Sequence, residues 1–278
     1  MPIPQPTPHW AGLDLNRARV MGIVNVTPDS FSDGGHLIDP RAAIDAGLAM
    51  TEDGADMVDV DGESTRPGAV AVPPAQEQDR VLPVIEALAR QGVRVSADTR
   101  NASTMRMALA AGASIVNDVS GLAHDPLSAS VVAAFGCPVV LMHMRGTPET
   151  MNDRAIYQDV VAEVRSELHQ RIQSAIAAGI RPNNIVIDPG IGFAKRPSHA
   201  PALLRGLSSI ANLGYPILVG VSRKSFIGGL SGEPRADRRL PGSLAAGLFA
   251  ILHGASILRV HDVRETIQTV RVWHGLFE

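Results

Sequence analysis

Seven polar residues stand where short apolar runs of the chain give out: Asn25, Asp98, Asn117, Asp188, Lys224, Arg259 and His261. Along an extended segment every second side chain points to the same face, so all seven can face one side of the runs they terminate. Buried polar groups need partners. Two or three of these could satisfy one another, but seven converging on one mouth call for a polar ligand. Asp98, Asn117, Asp188 and Lys224 make a mixed set of donors and acceptors. A carboxylate accepts two parallel N–H bonds from a guanidine-like edge, and an amide and an ammonium serve ring nitrogens and a carbonyl. The set suits a flat, polar heterocycle such as a pterin.

A second set is cationic and rich in donors: Ser64, Thr65, Arg66, Arg259 and His261, with Pro67 and Gly68 shaping the loop that carries the first three. It suits phosphate oxygens. Asn25 offers an oxygen ligand for Mg2+, which completes its shell with water and substrate phosphate. Asp59 and Asp61, with no histidine beside them, read weakly as a metal pair. Met142 and Met144 read as wall and core, and Cys137 as a buried, inert thiol. His9, His36, His124, His169, His199, His253 and His274 receive no role. Neither a Gly-x-Gly-x-x-Gly fingerprint nor a P-loop is present.

The elements that must position these groups follow from the apolar pattern. Strand-length runs occupy 20–26, 57–60, 94–97, 114–119, 138–142, 185–187, 216–221 and 256–260. Helical patterns fill the intervals at 42–53, 75–90, 101–111, 126–135, 159–178, 198–213, 241–253 and 262–274, most of them stopping near a glycine. Strict alternation calls for a parallel sheet. An open doubly wound sheet is the rival, but eight units in 278 residues favour closure into a (β/α)8 TIM barrel. Nothing divides the chain, so residues 1–278 are expected to form a single domain. With 45% hydrophobic and only 4% aromatic residues, the core must be aliphatic. A net charge of −3 with no long run of either sign speaks against nucleic acid as a partner. The chain lacks an apolar stretch of membrane-spanning length, and its first ten residues lack the pattern of a signal peptide. The expected compartment is the cytoplasm.

These motifs resemble the dihydropteroate synthases. The runs 25–35 (Asn-Val-Thr-Pro-Asp-Ser-Phe-Ser-Asp-Gly-Gly) and 62–68 (Gly-Glu-Ser-Thr-Arg-Pro-Gly) look like the two mobile loops of that family. The runs 188–193, 222–228 and 259–261 look like its later motifs, and the resemblance covers the chain from about Val20 onward. It implies a TIM barrel of folate biosynthesis that joins 6-hydroxymethyl-7,8-dihydropterin pyrophosphate to p-aminobenzoate by an SN1-like route, with Mg2+ as cofactor and a homodimer as assembly. Carried over, the pterin pocket is Asp98, Asn117, Met142, Asp188, Phe193 and Lys224, with Arg259 against the ring. Asn25, Thr65, Arg66, Arg259 and His261 hold pyrophosphate, and Asn25 also holds the metal. Asp33 helps order the closed loops and stabilise the cation. Phe31, Pro67, Phe193, Lys224 and Ser225 frame p-aminobenzoate, which is also the sulfonamide site. Asp33, Arg66, Lys224 and Arg259 are the expected catalytic group.

Two positions depart from the family pattern. Asp61 replaces the first of two glycines, placing a carboxylate beside the pyrophosphate site, and Ala200 stands where asparagine is usual. Asp61 keeps open the alternative of a non-catalytic pterin-binding paralogue. A methyltransferase acting on methyltetrahydrofolate shares the pterin-binding barrel but needs neither the phosphate loop nor the Lys224–Ser225 frame.

Overall fold

The computed structural model describes residues 9–27, 40–66 and 68–276. A two-stranded antiparallel hairpin, β1 (His9–Trp10) and β2 (Leu13–Asp14), comes first. Eight parallel strands then close on themselves: β3 (Arg19–Asn25), β4 (Met57–Asp61), β5 (Val95–Asp98), β6 (Ile115–Asp118), β7 (Val139–Met142), β8 (Ile185–Asp188), β9 (Ile217–Val219) and β10 (Ala255–Val260). They follow one another round the barrel in chain order, and β10 pairs back onto β3 with Ile257 opposite Arg19. The helices are α1 (Pro40–Glu52), α2 (Pro74–Arg90), α3 (Ala102–Ala110), α4 (Ser128–Phe135), α5 (Val160–Ala177), α6 (His199–Arg205), α7 (Leu207–Ala211), α8 (Ser225–Ser231), α9 (Leu240–Leu252) and α10 (Val263–Gly275). The (β/α)8 expectation holds.

The strands are β-branched and aliphatic because both of their faces are covered. One face packs on the helices. The other fills the barrel, where Met21, Met57, Ile115, Val140, Val186, Leu218 and Ile257 form an apolar layer with Trp10. Trp10 is 1% exposed, and its indole N–H donates to the Asn184 carbonyl at 2.8 Å. The hairpin therefore plugs the amino end of the barrel. Two or four residues beyond this layer, on the same face, inward positions of β3, β4, β6, β8 and β10 turn polar: Asn25, Asp59, Asp61, Asn117, Asp188 and Arg259, with His261 just past β10. Asp98 joins them through its register with Asp61 and Asn117.

Three local departures from the expected elements matter for position. The helix expected over 198–213 breaks at Gly206, where a Cβ would lie 2.6 Å from the Val161 side chain on α5. The strand expected over 216–221 ends at Val219. The chain then turns through Arg223, which sits in the left-handed region at φ 59°, into the short helix α8. The Arg223 amide donates to Ser243 Oγ at 2.9 Å and its side chain pairs with Asp262, which holds the unusual backbone. That turn places Lys224 at the head of α8. Among the described residues no helix is long and apolar enough to cross a membrane.

Candidate active site

Arg259 is the hub of the carboxyl-end mouth. From β10 its Nε donates to Asp59 Oδ2 at 2.6 Å and its Nη2 to Asp98 Oδ2 at 2.7 Å. Asn117 Nδ2 donates to the same Asp59 oxygen at 2.9 Å. One guanidinium and one amide thus tie β4, β5, β6 and β10 together across the mouth. Burial works against the charge on Arg259, but Asp59, Asp98 and Asp61 outweigh it and hold its pKa above the ordinary guanidinium value. Burial, reinforced by Asp59, raises Asp98 well above the usual carboxylate range despite Arg259. The two sequence sets therefore merge, because Arg259 lies with the heterocycle group. Asp59, read from the sequence only weakly as half of a metal pair, is the acceptor that orients both Arg259 and Asn117. Its second oxygen has no hydrogen-bond partner among the described residues.

Across the mouth, Asp188 accepts from the Gly190 amide at 2.7 Å. Burial raises its pKa, opposed by Lys224. Burial pushes Lys224 down to about 8, opposed by Asp188. The Lys224 ammonium donates to the Ile191 carbonyl and stands 4.9 Å from the centre of the Phe193 ring. Phe193 packs on an apolar cluster of Val119, Met142, Met144, Met151 and Ala194. Met142 is thus wall, as expected, and Phe193 forms an aromatic face beside a cation. Ser225 opens α8 and is exposed. His261 Nδ1 lies 3.0 Å from Ser222 Oγ, and burial with Arg223 nearby pushes the imidazole down to about 4. Cys137 is buried with its thiol pushed up to about 11, which fits an inert core residue.

The loop after β4 carries Thr65 and Arg66. Arg66 is exposed, and among the described residues its guanidinium has no partner. The loop is clasped at its base. Glu63 is 4% exposed and receives Arg100 Nε at 2.8 Å, Arg100 Nη2 at 2.9 Å and the Val72 amide at 2.9 Å. Farther along, the Gly68 amide donates to the Pro148 carbonyl at 3.0 Å. Asn25 and Asp61 are register neighbours at the ends of β3 and β4. Asp61 is 5% exposed, accepts from the Glu63 amide at 2.9 Å, and is pushed up to about 7 by burial. Phe31, Asp33 and Pro67 lie outside the described residues. Among the described residues no three His, Cys, Asp or Glu side chains come together as a metal cluster.

The sequence also missed a chain of polar groups behind Phe193, running from buried Lys195 and His143 to half-buried Glu167. Lys195 reaches His143, and His143 reaches Glu167.

Residues 21–261 match a family model described as pterin binding enzyme. The chain is 47% identical over 266 residues to a dihydropteroate synthase of Mycobacterium leprae, covering 94% of each. It resembles the Xanthomonas albilineans dihydropteroate synthase solved with 4-aminobenzoic acid, with TM-score 0.90, 49% identity and 96% of each chain covered. The same enzyme in complex with 7,8-dihydropteroate gives TM-score 0.87 at 46% identity, covering 95% of each chain.

Proposed function

The chain belongs to the dihydropteroate synthase family, and from that membership we propose how its barrel mouth joins 6-hydroxymethyl-7,8-dihydropterin pyrophosphate to p-aminobenzoate, giving 7,8-dihydropteroate and pyrophosphate. The observation that carries the reading is the convergence of Asp98, Asn117, Asp188, Lys224 and Arg259 in one mouth. Asp98 and Asp188 accept the N–H edges of the pterin, while Asn117 and Lys224 meet its remaining nitrogens and carbonyl. Arg259, held by Asp59 and Asp98, lies against the ring and reaches toward the phosphate.

The route is SN1-like. The bond from the pterin methylene to the phosphate oxygen breaks, and its electron pair leaves with pyrophosphate. The arylamine nitrogen then bonds to the methylene cation and loses a proton. No covalent nucleophile is required. Catalysis rests on stabilising the leaving group, by Thr65, Arg66, Arg259 and His261, and on keeping water from the cation. Asp33 on the first loop supports that closure. Phe193, Lys224 and Ser225, with Phe31 and Pro67, frame p-aminobenzoate and its sulfonamide mimics.

Mg2+ fits the donor set. Asn25, at the end of β3, offers a hard amide oxygen at the mouth. Asn25 would hold the ion, leaving the rest of its shell to water and phosphate. When bound, it would neutralise charge on the leaving pyrophosphate.

The assembly is read as a homodimer through α9 and α10. They expose Leu252 (61%) and Val272 (59%), and Leu276 (75%) follows the end of α10, apolar side chains that a second copy would cover. Leu252→Glu is expected to give a monomer by sedimentation. A lone buried thiol suits a reducing compartment, and the reading extends to a cytoplasmic enzyme.

The test is pyrophosphate release from the pterin substrate with Mg2+, with and without p-aminobenzoate. Release coupled to dihydropteroate formation is expected. Pterin binding with no release would sink the reading.

A further inference from the structure

Resting on the reading of Phe193 as a wall of the aminobenzoate site, we propose that Lys195 is a positioning residue. It fixes that wall by lashing the loop after β8 to the end of β7.

Lys195 is 6% exposed, deep for an ammonium. A buried amine is tolerated only where its polar atoms find partners. Its Nζ donates to the Phe193 carbonyl at 2.9 Å and the His143 carbonyl at 3.2 Å, and meets His143 Nδ1 at 2.9 Å. All its partners thus belong to Phe193 itself or to the residue after β7. With Lys195 donating to Nδ1, His143 carries its proton on Nε2, which faces Glu167 Oε2 at 3.0 Å. Glu167 in turn is held by Arg145 Nε at 3.0 Å, and Arg145 Nη2 reaches Glu163 at 2.8 Å. The amine is therefore moored through His143 to two carboxylates on α5.

The backbone shows what the mooring restrains. Ala194, between Phe193 and Lys195, sits in the left-handed region at φ 49°. A non-glycine residue stays there only when its surroundings hold it. The Lys195 bond to the Phe193 carbonyl closes the turn around Ala194, and the Tyr157 hydroxyl donates to the Ala194 carbonyl at 3.1 Å. Releasing the amine would let the turn relax and swing the Phe193 ring away from Lys224 and the methionine wall. Lys195 touches no substrate in this reading. It acts through Phe193.

The experiment is a double-mutant cycle on the intact enzyme with Lys195→Met, Phe193→Ala and the pair, measuring kcat and both KM values. Lys195→Met is expected to raise KM for p-aminobenzoate about tenfold with kcat little changed, the mark of lost uniform binding. KM for the pterin substrate should stay within about twofold. In the Phe193→Ala background the lysine change should add less than about twofold, because the two residues form one unit. Lys195→Gln, which keeps two N–H donors, should recover part of the affinity, and it serves as the readout if Lys195→Met does not fold. The clamp is overturned if Phe193→Ala weakens p-aminobenzoate but the lysine variants do not, if both KM values move together, or if the two effects simply add. Should Phe193→Ala leave p-aminobenzoate affinity intact, the reading of the wall fails, and the clamp falls with it.

Discussion

Asp61 shows how a single position can be open to change while its neighbour is not. A Cβ on Gly62 would lie 2.6 Å from Val81 and 3.3 Å from the Glu77 carbonyl. Position 61 faces the mouth, where a side chain fits and its carboxylate caps the Glu63 amide. The charge it adds opposes the pyrophosphate, and Arg259 offsets it. Asp61→Gly is expected to lower KM for the pterin substrate roughly fivefold, the worth of about 1 kcal/mol for one screened charge. Steady-state kinetics that return the same kcat and KM would show the carboxylate to be neutral to the reaction. Arg259 is the opposite case. Its fork is shared by two carboxylates, so Arg259→Lys should lose about a hundredfold in kcat/KM, since a point charge cannot make both bonds.

At the scale of elements, the loop after β4 is a closed loop with a clasp. Glu63 binds the amide of Val72 at the loop's far end, and Arg100 from the neighbouring strand's loop grips Glu63 with two bonds. Removing one partner of a buried pair costs about 3–5 kcal/mol. Arg100→Met should therefore lower the melting temperature and speed hydrogen exchange at the Val72 amide at least about tenfold. Protection unchanged at Val72 would mean that the clasp holds nothing. The barrel strands and most helices were readable from sequence because apolar runs and glycine stops are local signals. What was not readable depends on distant contacts. Glycine stands at the break at 206 because Val161 on α5 leaves no room for a Cβ. Helix α8 contains Gly228 and Gly229, which mask its pattern, and two-residue hairpin strands carry no periodicity. At the site, the inward polar residues were legible from alternation. The role of Asp59 was not, because its partners lie 58 and 200 positions away. Lys195 was missed for the same reason, its imidazole partner lying 52 positions back.

For the molecule as a whole, the two ends of the barrel are built for different tasks. The amino end is apolar and stoppered by Trp10, and the carboxyl end gathers buried ionisable groups. That gathering links stability to pH. Burial pushes Lys195 down to about 7 and Lys224 to about 8, while the unfolded chain keeps lysine near its ordinary value of 10.5. Through these two amines the unfolded state binds more protons between pH 8 and 9, so their contribution to stability rises with pH, while Asp98 and Cys137, both raised by burial, contribute with the opposite sign. The slope is up to about 1.4 kcal/mol per pH unit for each lysine. Denaturant melts at pH 8 and 9 should show the gain in the wild type and less of it in Lys195→Met. Equal slopes in the two proteins would mean that the Lys195 amine stays charged in the folded enzyme.

The Trp10 stopper also bears on how the chain comes into being. Its indole bond to Asn184 spans 174 positions, and β3 finds its second neighbour only in β10. On the ribosome, then, one edge of the growing sheet stays open and the amino-terminal tryptophan waits without a seat until most of the chain has emerged. Contacts so distant in sequence form slowly, and an unpaired edge invites association with other chains in the meantime. The cell's folding machinery should meet this protein early and hold it until the barrel shuts.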